Sequence, residues 1–150
     1  MHVDLADVPE PPIWPAGTHV RAFTEADAAR VHALLEQGYE AGGGAVSPFE
    51  EWRETMLADA EYDPALWFLA EADDLVGVCL CWTSGWVKDL VVAPAWRRRG
   101  LGEALLRHAF GAFRARGLAA AELKVHADNP SAAYRLYERL GMRTVDVSTG

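Results

Sequence analysis

Cysteine is scarce in this chain. The two cysteines, Cys79 and Cys81, stand two apart in an apolar run, so on a strand both point to the same face. Such neighbours do not form an ordinary disulfide, and C-x-C alone is no zinc signature; both read as small core hydrophobes or, at most, as lining of a pocket. His2, His19 and His32 show no ligand spacing, so no metal is expected. No apolar run approaches the ~20 residues that span a bilayer. The N-terminus lacks a basic stretch followed by an apolar one, so a cytoplasmic protein without a secretory signal is expected. Positive charge is also in short supply: 14 Lys and Arg stand against 22 Asp and Glu, a net charge of −8. An acidic surface repels phosphate backbones, which argues against nucleic acid as a partner and tolerates a cationic small molecule.

Half of the 150 residues are apolar, enough for one continuous core. Residues 8–17 carry Pro9, Pro11, Pro12 and Pro15, which excludes a helix, so residues 1–17 read as an arm and residues 18–150 as one domain. A first strand is expected at His19–Phe23. Thr24 with Asp27 resembles a capping box ahead of the helical stripe Ala28, Val31, Leu34 and Leu35. The loop 38–46, with three consecutive glycines, is too flexible for regular structure. Ser47-Pro48-Phe49-Glu50 predicts a second helix, with the serine as cap and Phe49, Trp52, Met56 and Ala60 as its buried face. Strands are expected at 66–71, 75–82, 86–93 and 122–126, a long helix at 100–116, a further helix at 129–141 and a last strand at 142–147. The order is α+β. The segment from Trp86 to His126 has room for a right-handed crossover between parallel strands.

One constellation carries chemistry. The apolar strand ending in Leu90, Val91 and Val92 runs into Pro94-Ala95-Trp96. The run Arg97-Arg98-Arg99-Gly100-Leu101-Gly102-Glu103 follows and opens an amphipathic helix. The first amides of a helix lack internal partners and carry the positive end of its dipole. Glycines there let a phosphate approach the backbone, and arginines add charge, so the segment is built to cradle an anion. A P-loop would need G-x-x-x-x-G-K-[ST], which is missing. A dinucleotide fingerprint would need a third glycine where Leu105 stands.

The pattern R-x-x-G-x-G after an apolar strand resembles the pyrophosphate loop of the GNAT family of N-acetyltransferases. The stretch from Asn129 to Met142, with Ala132, Leu136, Tyr137 and Gly141, resembles that family's N-x-x-A-x-x-L-Y-x-x-x-G-F segment. The two motifs lie about 30 residues apart with a helix and a strand between them. The likeness covers residues 85–142 well, and within the family it is nearest the second half of tandem members, mycothiol synthase among them. The resemblance implies a central mixed sheet of about six strands and about four helices, splayed between its two parallel strands, with acetyl-CoA entering the splay. It implies that the backbone of Leu90 and Val92, with Val91 between them, pairs with the pantetheine arm. It further implies that the amides of Arg97, Arg98, Arg99, Gly100, Leu101, Gly102 and Glu103 hold the pyrophosphate, that Asn129 and Ala132 contact the cofactor, and that Tyr137 protonates the departing thiolate. An amide near Val92 would receive the developing oxyanion.

The general base is not legible in the pattern. Asp89 is the first choice, with Glu71, Glu122, His126 or a chain of waters as alternatives. Asn129 before Pro130 would cap a helix in any protein, and Tyr137 lies on an apolar stripe with Ala133 and Leu140, so each also has a purely structural reading. His108 reads as structural or exposed, and Trp52, Trp67 and Trp82 as core that could also line a pocket. The expected activity is transfer of an acetyl group from acetyl-CoA to the amine of a small molecule or peptide by direct attack in a ternary complex. That acceptor would be held by the two N-terminal helices and the loop 38–46. The rivals are a catalytically silent acyl-CoA-binding module and a nucleotide-binding domain. Few residues follow Met142, room for one strand where the family has two, so a homodimer completing the sheet is also expected.

Overall fold

The computed structural model describes residues 2–5, 12–41, 46–97, 99–123, 137, 138, 140 and 142. Six strands form one sheet: β1 (His2–Asp4), β2 (His19–Ala22), β3 (Trp67–Glu71), β4 (Leu75–Cys81), β5 (Trp86–Val92) and β6 (Ala120–Leu123), in the order β1-β6-β5-β4-β3-β2. β2 to β5 are antiparallel neighbours, with hairpins joining β3 to β4 and β4 to β5 and the first two helices lying between β2 and β3. The helix α3 (Leu101–Ala115) carries the chain across to β6, which lies parallel to β5, as the strand–helix–strand spacing predicts. The recorded parallel pairing is short: Trp86 opposes Glu122 and Val87 opposes Leu123.

The helices α1 (Ala28–Ala41) and α2 (Phe49–Leu57) cover one face of the sheet, and α3 covers the other. The first face buries Trp67, Leu69, Val78 and Leu80 against Val31, Leu35, Trp52 and Met56. The second buries Phe68, Cys79, Cys81 and Val87 against Leu101, Leu105, Ala109, Phe110 and Phe113. The two sets alternate along β3 and β4, as a pleated strand between two apolar layers must. Among the described residues, no helix is long and apolar enough to cross a membrane.

Three expectations need adjustment. The segment read as an arm gives the sheet a strand, because His2–Asp4 pairs antiparallel with β6 and Leu5 is buried in the α3-side core. That strand is too short to be legible by alternation. Ser47 does not cap α2: Pro48 occupies the cap position without a side-chain hydrogen bond, and the Ser47 carbonyl instead accepts from His32 Nε2 at 2.7 Å. Ala60 lies beyond the end of α2 and is exposed, so the buried face reduces to Trp52 and Met56 with Phe49 half-buried. The helix expected at 129–141 is described only at Tyr137 and Glu138, which are helical, and the strand expected at 142–147 lies outside the described residues apart from Met142.

The far end of the sheet is pinned by a buried carboxylate. Arg21 on β2 donates from Nη1 and Nη2 to Asp27 Oδ2 and Oδ1 at 2.7 and 2.6 Å. Arg30 adds a bond to Oδ1 at 2.7 Å, and the Thr24 amide and hydroxyl both reach Oδ2 at 2.9 Å. The expected Thr24–Asp27 cap is thus present and is recruited into a larger network, which Glu71 joins by accepting from Arg21 Nε at 2.8 Å. The hydrogen bond from Arg21 holds the Asp27 carboxyl well below the usual carboxylate range. A carboxylate with a depressed folded-state pKa stabilises the fold above its unfolded pKa, near 4, and loses that contribution as pH falls below it. Asp27→Ala should therefore cost about 3 kcal/mol at pH 7, or roughly 6–12 °C in melting temperature. In urea melts, the gap between wild type and variant should narrow from pH 7 to pH 3; an equal gap at both would show that the ionised carboxylate is not the stabilising species.

Candidate active site

The segment expected to cradle an anion lies just beyond the end of β5. After a single turn of 3-10 helix at Pro94–Trp96 the chain reaches Gly100, whose φ of +82° lies in the left-handed region. A side chain there would meet no neighbour, so the backbone angle rather than space requires glycine. Gly100 is the cap residue of α3, and its carbonyl accepts the first helical bond from Ala104 at 3.0 Å. No side chain caps the first turn, which leaves the amide end of Leu101, Gly102 and Glu103 facing the loop. The arginines are fixed differently from one another. Arg97 folds back so that Nε donates to the Val92 carbonyl at 3.3 Å, while the Arg99 guanidinium lies 4.7 Å from the centre of the Trp96 ring. Arg98 lies outside the described residues, as do Asn129, Ala132 and His126.

Beside this turn, Leu90, Val91, Val92, Arg97 and Gly38 line a cleft of about 220 Å³. Gly38 belongs to α1, and a Cβ on it would stand 2.7 Å from Val91 Cγ1. The missing side chain therefore lets α1 close on β5 where the cleft runs. Sequence reading passed over Gly38 as the start of a loop, although a glycine inside a helix is itself a sign of close packing.

Asp89 is placed by an irregularity. Leu80 pairs with Asp89 but Cys81 pairs with Val87, which makes Lys88 an extra residue, a β-bulge. Val87 faces the α3 core, and Asp89 is two residues on; without the bulge both would share that face. With it, Asp89 turns to the α1–α2 face beside Val91. There it is 4% exposed and borders a second cavity, of about 340 Å³, lined by Val46, Ser47, Trp52, Thr55, Met56, Lys88 and Asp89. Lys88 Nζ stands 3.7 Å from Asp89 Oδ2. Lys88 and Thr55 were not singled out from sequence, and Met56 was read only as part of the buried face of the second helix. The signal available was a consecutive charged pair inside the apolar run 86–92.

The two described alternatives to Asp89 have other partners. Glu71 is engaged by Arg21 on the far side of the sheet, and Glu122 is 3.5 Å from His2 at the β1 edge. Trp67 is fully buried in the α1–α2 core with its Nε1 unpaired, Trp82 packs half-buried against the same core, and Trp52 is both core and cavity wall. His108 lies between Trp14 and Phe68, with ring centres 5.8 and 4.7 Å away, and burial lowers its pKa. Cys79 and Cys81 are buried with sulfurs 3.7 Å apart, and burial pushes the Cys81 thiol up, which suppresses thiolate chemistry.

Tyr137 packs half-buried against the α3-side core, where Leu90 and Val92 also lie. Its carbonyl accepts from the amides of Leu140 and Met142 at 3.2 and 3.0 Å. Burial, reinforced by the nearby Cys79 thiol, pushes its phenol up to about 12. The phenol is therefore a protonated donor throughout the neutral range.

Known proteins resemble this chain in sequence and in fold. Mycothiol acetyltransferase of Streptomyces avermitilis is 37% identical over 154 residues, covering 95% of this chain and 47% of that protein. The [ribosomal protein bS18]-alanine N-acetyltransferase of Escherichia coli is 41% identical over 59 residues, 39% of each chain. Among solved structures, a GCN5-related N-acetyltransferase from Sphaerobacter thermophilus superposes with a TM-score of 0.82 at 33% identity, over 95% of this chain and 46% of that one. The ribosomal-protein-S18-alanine N-acetyltransferase of Escherichia coli, at 23% identity and a TM-score of 0.66 over 83% of this chain and 76% of that one, shares the fold. The chain spans about half the length of the curated mycothiol acetyltransferases it matches. A sequence profile described as the acetyltransferase (GNAT) family matches residues 21–142, and the chain belongs to that family.

Proposed function

We propose that this protein transfers an acetyl group from acetyl-CoA to a primary amine by direct attack in a ternary complex. The observation that carries the reading is the left-handed Gly100 at an uncapped helix start, one 3-10 turn beyond a strand whose half-buried end borders a cleft. The cleft fits the donor: Leu90 and Val92 supply backbone, Gly38 supplies room, and Arg97 with the first turn of α3 supplies positive potential. In the reading, Arg97 to Glu103 hold the pyrophosphate through their amides, and Asn129 and Ala132 contact the donor nearer its reacting end.

When bound, acetyl-CoA supplies the thioester carbonyl. Asp89, on the α1–α2 side of β5, takes the proton from the acceptor ammonium and leaves a nucleophilic nitrogen. As the new C–N bond forms and the C–S bond breaks, Tyr137 would donate its proton to the sulfur from the α3 side, and the second proton shed by the nitrogen would pass to solvent. Acid and base thus stand on opposite faces of one strand, and neither proton transfer crosses the other. Most of the rate then comes from positioning, for which oriented reactants gain about 7–11 kcal/mol.

Acetyl-CoA at 100 times its dissociation constant should stabilise the fold by about 2.7 kcal/mol, whereas ATP and NAD should not. Melting curves with each ligand check this, and no shift with acetyl-CoA would refute the cradle. Tyr137→Phe should lower kcat by about 10²-fold or more while leaving the acetyl-CoA-induced shift intact. Because the phenol loses its proton only near pH 12, the wild-type rate should show no alkaline fall from this group below about pH 11. An unchanged kcat in Tyr137→Phe would reassign the acid, whereas a wild type that binds acetyl-CoA without turnover would favour the silent binding module.

A further inference from the structure

We infer that the cavity between α2 and β5 selects the acceptor by its hydrocarbon body: it takes a primary amine with a single cationic nitrogen and a short aliphatic chain that lies on Trp52 and Met56. The inference rests on the acetyl-transfer reading for the fate of the amine, and on the cavity floor for its identity. That floor is Trp52, Met56 and Asp89, which are 6%, 6% and 4% exposed. The rim is Val46, Ser47, Thr55 and Lys88, of which Val46 is half-buried and the other three are exposed. Apolar surface thus lies at the bottom, where a ligand loses its water. Most of the polar side chains stand at the top, where a ligand keeps it.

Charge at the floor is already balanced. Asp89 has the Lys88 ammonium 3.7 Å away and is engaged further within the chain. It is the one carboxylate among the described lining residues. A polyamine laid into the cavity would bring a further ammonium onto Trp52 and Met56 with no second carboxylate to meet it, and stripping water from an unpaired charge is unfavourable. A sugar-like acceptor would turn its hydroxyls to an indole and a thioether. The Ser47 carbonyl at the rim already accepts from His32 Nε2 at 2.7 Å. A hydrocarbon chain needs no polar partner and is stabilised by burial alone. Selection therefore comes from the chain, and none of it is asked of Asp89.

The floor is also rigid. The Trp52 ring packs against His32, Phe49 and Trp67, with centres 5.3, 6.4 and 6.1 Å away. His32 is itself held by the Ser47 carbonyl and by Glu36, 3.2 Å from its Nδ1. A wall backed by close-packed rings does not fold away to admit a larger body, so the volume of about 340 Å³ limits the length of the chain. β5 links this space to the donor cleft: Lys88 and Asp89 border the cavity, and Leu90, Val91 and Val92 border the cleft. An amine whose chain lies on α2 can present its nitrogen to β5, where the cleft begins.

The test uses the full chain with acetyl-CoA and the series ethylamine, butylamine and hexylamine, together with hexamethylenediamine and glucosamine. Release of the CoA thiol gives kcat/KM, and melting curves with CoA present give binding without turnover. Along the series kcat/KM should rise about two- to fourfold per methylene, through KM. Hexamethylenediamine has the same chain and a second ammonium, and should fall about tenfold or more below hexylamine. Glucosamine should not exceed ethylamine. Thr55→Trp, at the exposed rim, should fill the cavity and lower hexylamine about tenfold, with ethylamine within about twofold and the acetyl-CoA-induced shift intact. Turnover that is flat in chain length, or in which the diamine or glucosamine matches hexylamine, overturns the inference and leaves acetyl transfer standing. A slope unaltered in Thr55→Trp places the chain elsewhere and overturns it equally. No turnover with any amine, while hexylamine stabilises the wild type more than ethylamine and the gap closes in Thr55→Trp, upholds the apolar pocket and removes acetyl transfer. Neither turnover nor length-dependent stabilisation overturns the inference outright.

Discussion

A β-strand alternates its side chains between two faces, and β5 breaks that alternation once, at Lys88. Much of the site depends on the break. Upstream of it, Val87 belongs to the α3-side core and pairs with Leu123, which fixes β5 to its parallel neighbour. Downstream, Asp89 and Val91 face α1 and α2, while Leu90 and Val92 face α3. The inserted residue thus moves a carboxylate out of an apolar layer, where it would be costly, and into the wall of a cavity. The same strand then ends at the turn that leads to Gly100, so the anion cradle and the carboxylate are set by one element a few residues long.

Packing on both sides holds this strand rigid. Gly38 brings α1 into contact with Val91, and α3 lies on the opposite face through Leu101 and Leu105. A strand clamped between two layers is a precise platform, which suits a reaction whose rate comes chiefly from orientation. Tyr137 joins the α3-side core and not the cavity with Asp89. Under the proposed chemistry this division is useful. A base that must accept a proton and an acid that must give one would neutralise each other if they shared a hydrogen bond.

The sequence was most legible where geometry is local. The helix over Leu101–Ala115, its glycine start and the parallel crossover all follow from spacing within a short window. Two tight motifs sufficed for the family. Features that depend on distant partners were not legible. The strand His2–Asp4 exists because β6 offers it an edge, and nothing in three residues announces that. Ser47 looked like a helix cap because its local pattern fits one, but the tertiary contact from His32 claims its carbonyl and Pro48 takes the cap position. Asp89 was singled out as a base from its nearness to the expected thioester. Which way it points was fixed by a bulge, and a bulge leaves only a faint trace in sequence: two consecutive charges where alternation would allow one.

The two most buried carboxylates of the described residues show how a structural group differs from a candidate site. Asp27 and Asp89 are 3% and 4% exposed, so both need compensation for lost hydration. Asp27 receives two guanidinium groups, a hydroxyl and an amide, all at 2.6–2.9 Å, and that array locks β2 to the start of α1. Its bonding capacity is filled by the protein. Asp89 borders a cavity, with the Lys88 ammonium 3.7 Å away and itself turned partly to solvent. Burial alone would give these groups the same role. The difference lies in their surroundings: Asp27 is held in a network that ties β2 to α1, whereas Asp89 forms part of a cavity wall.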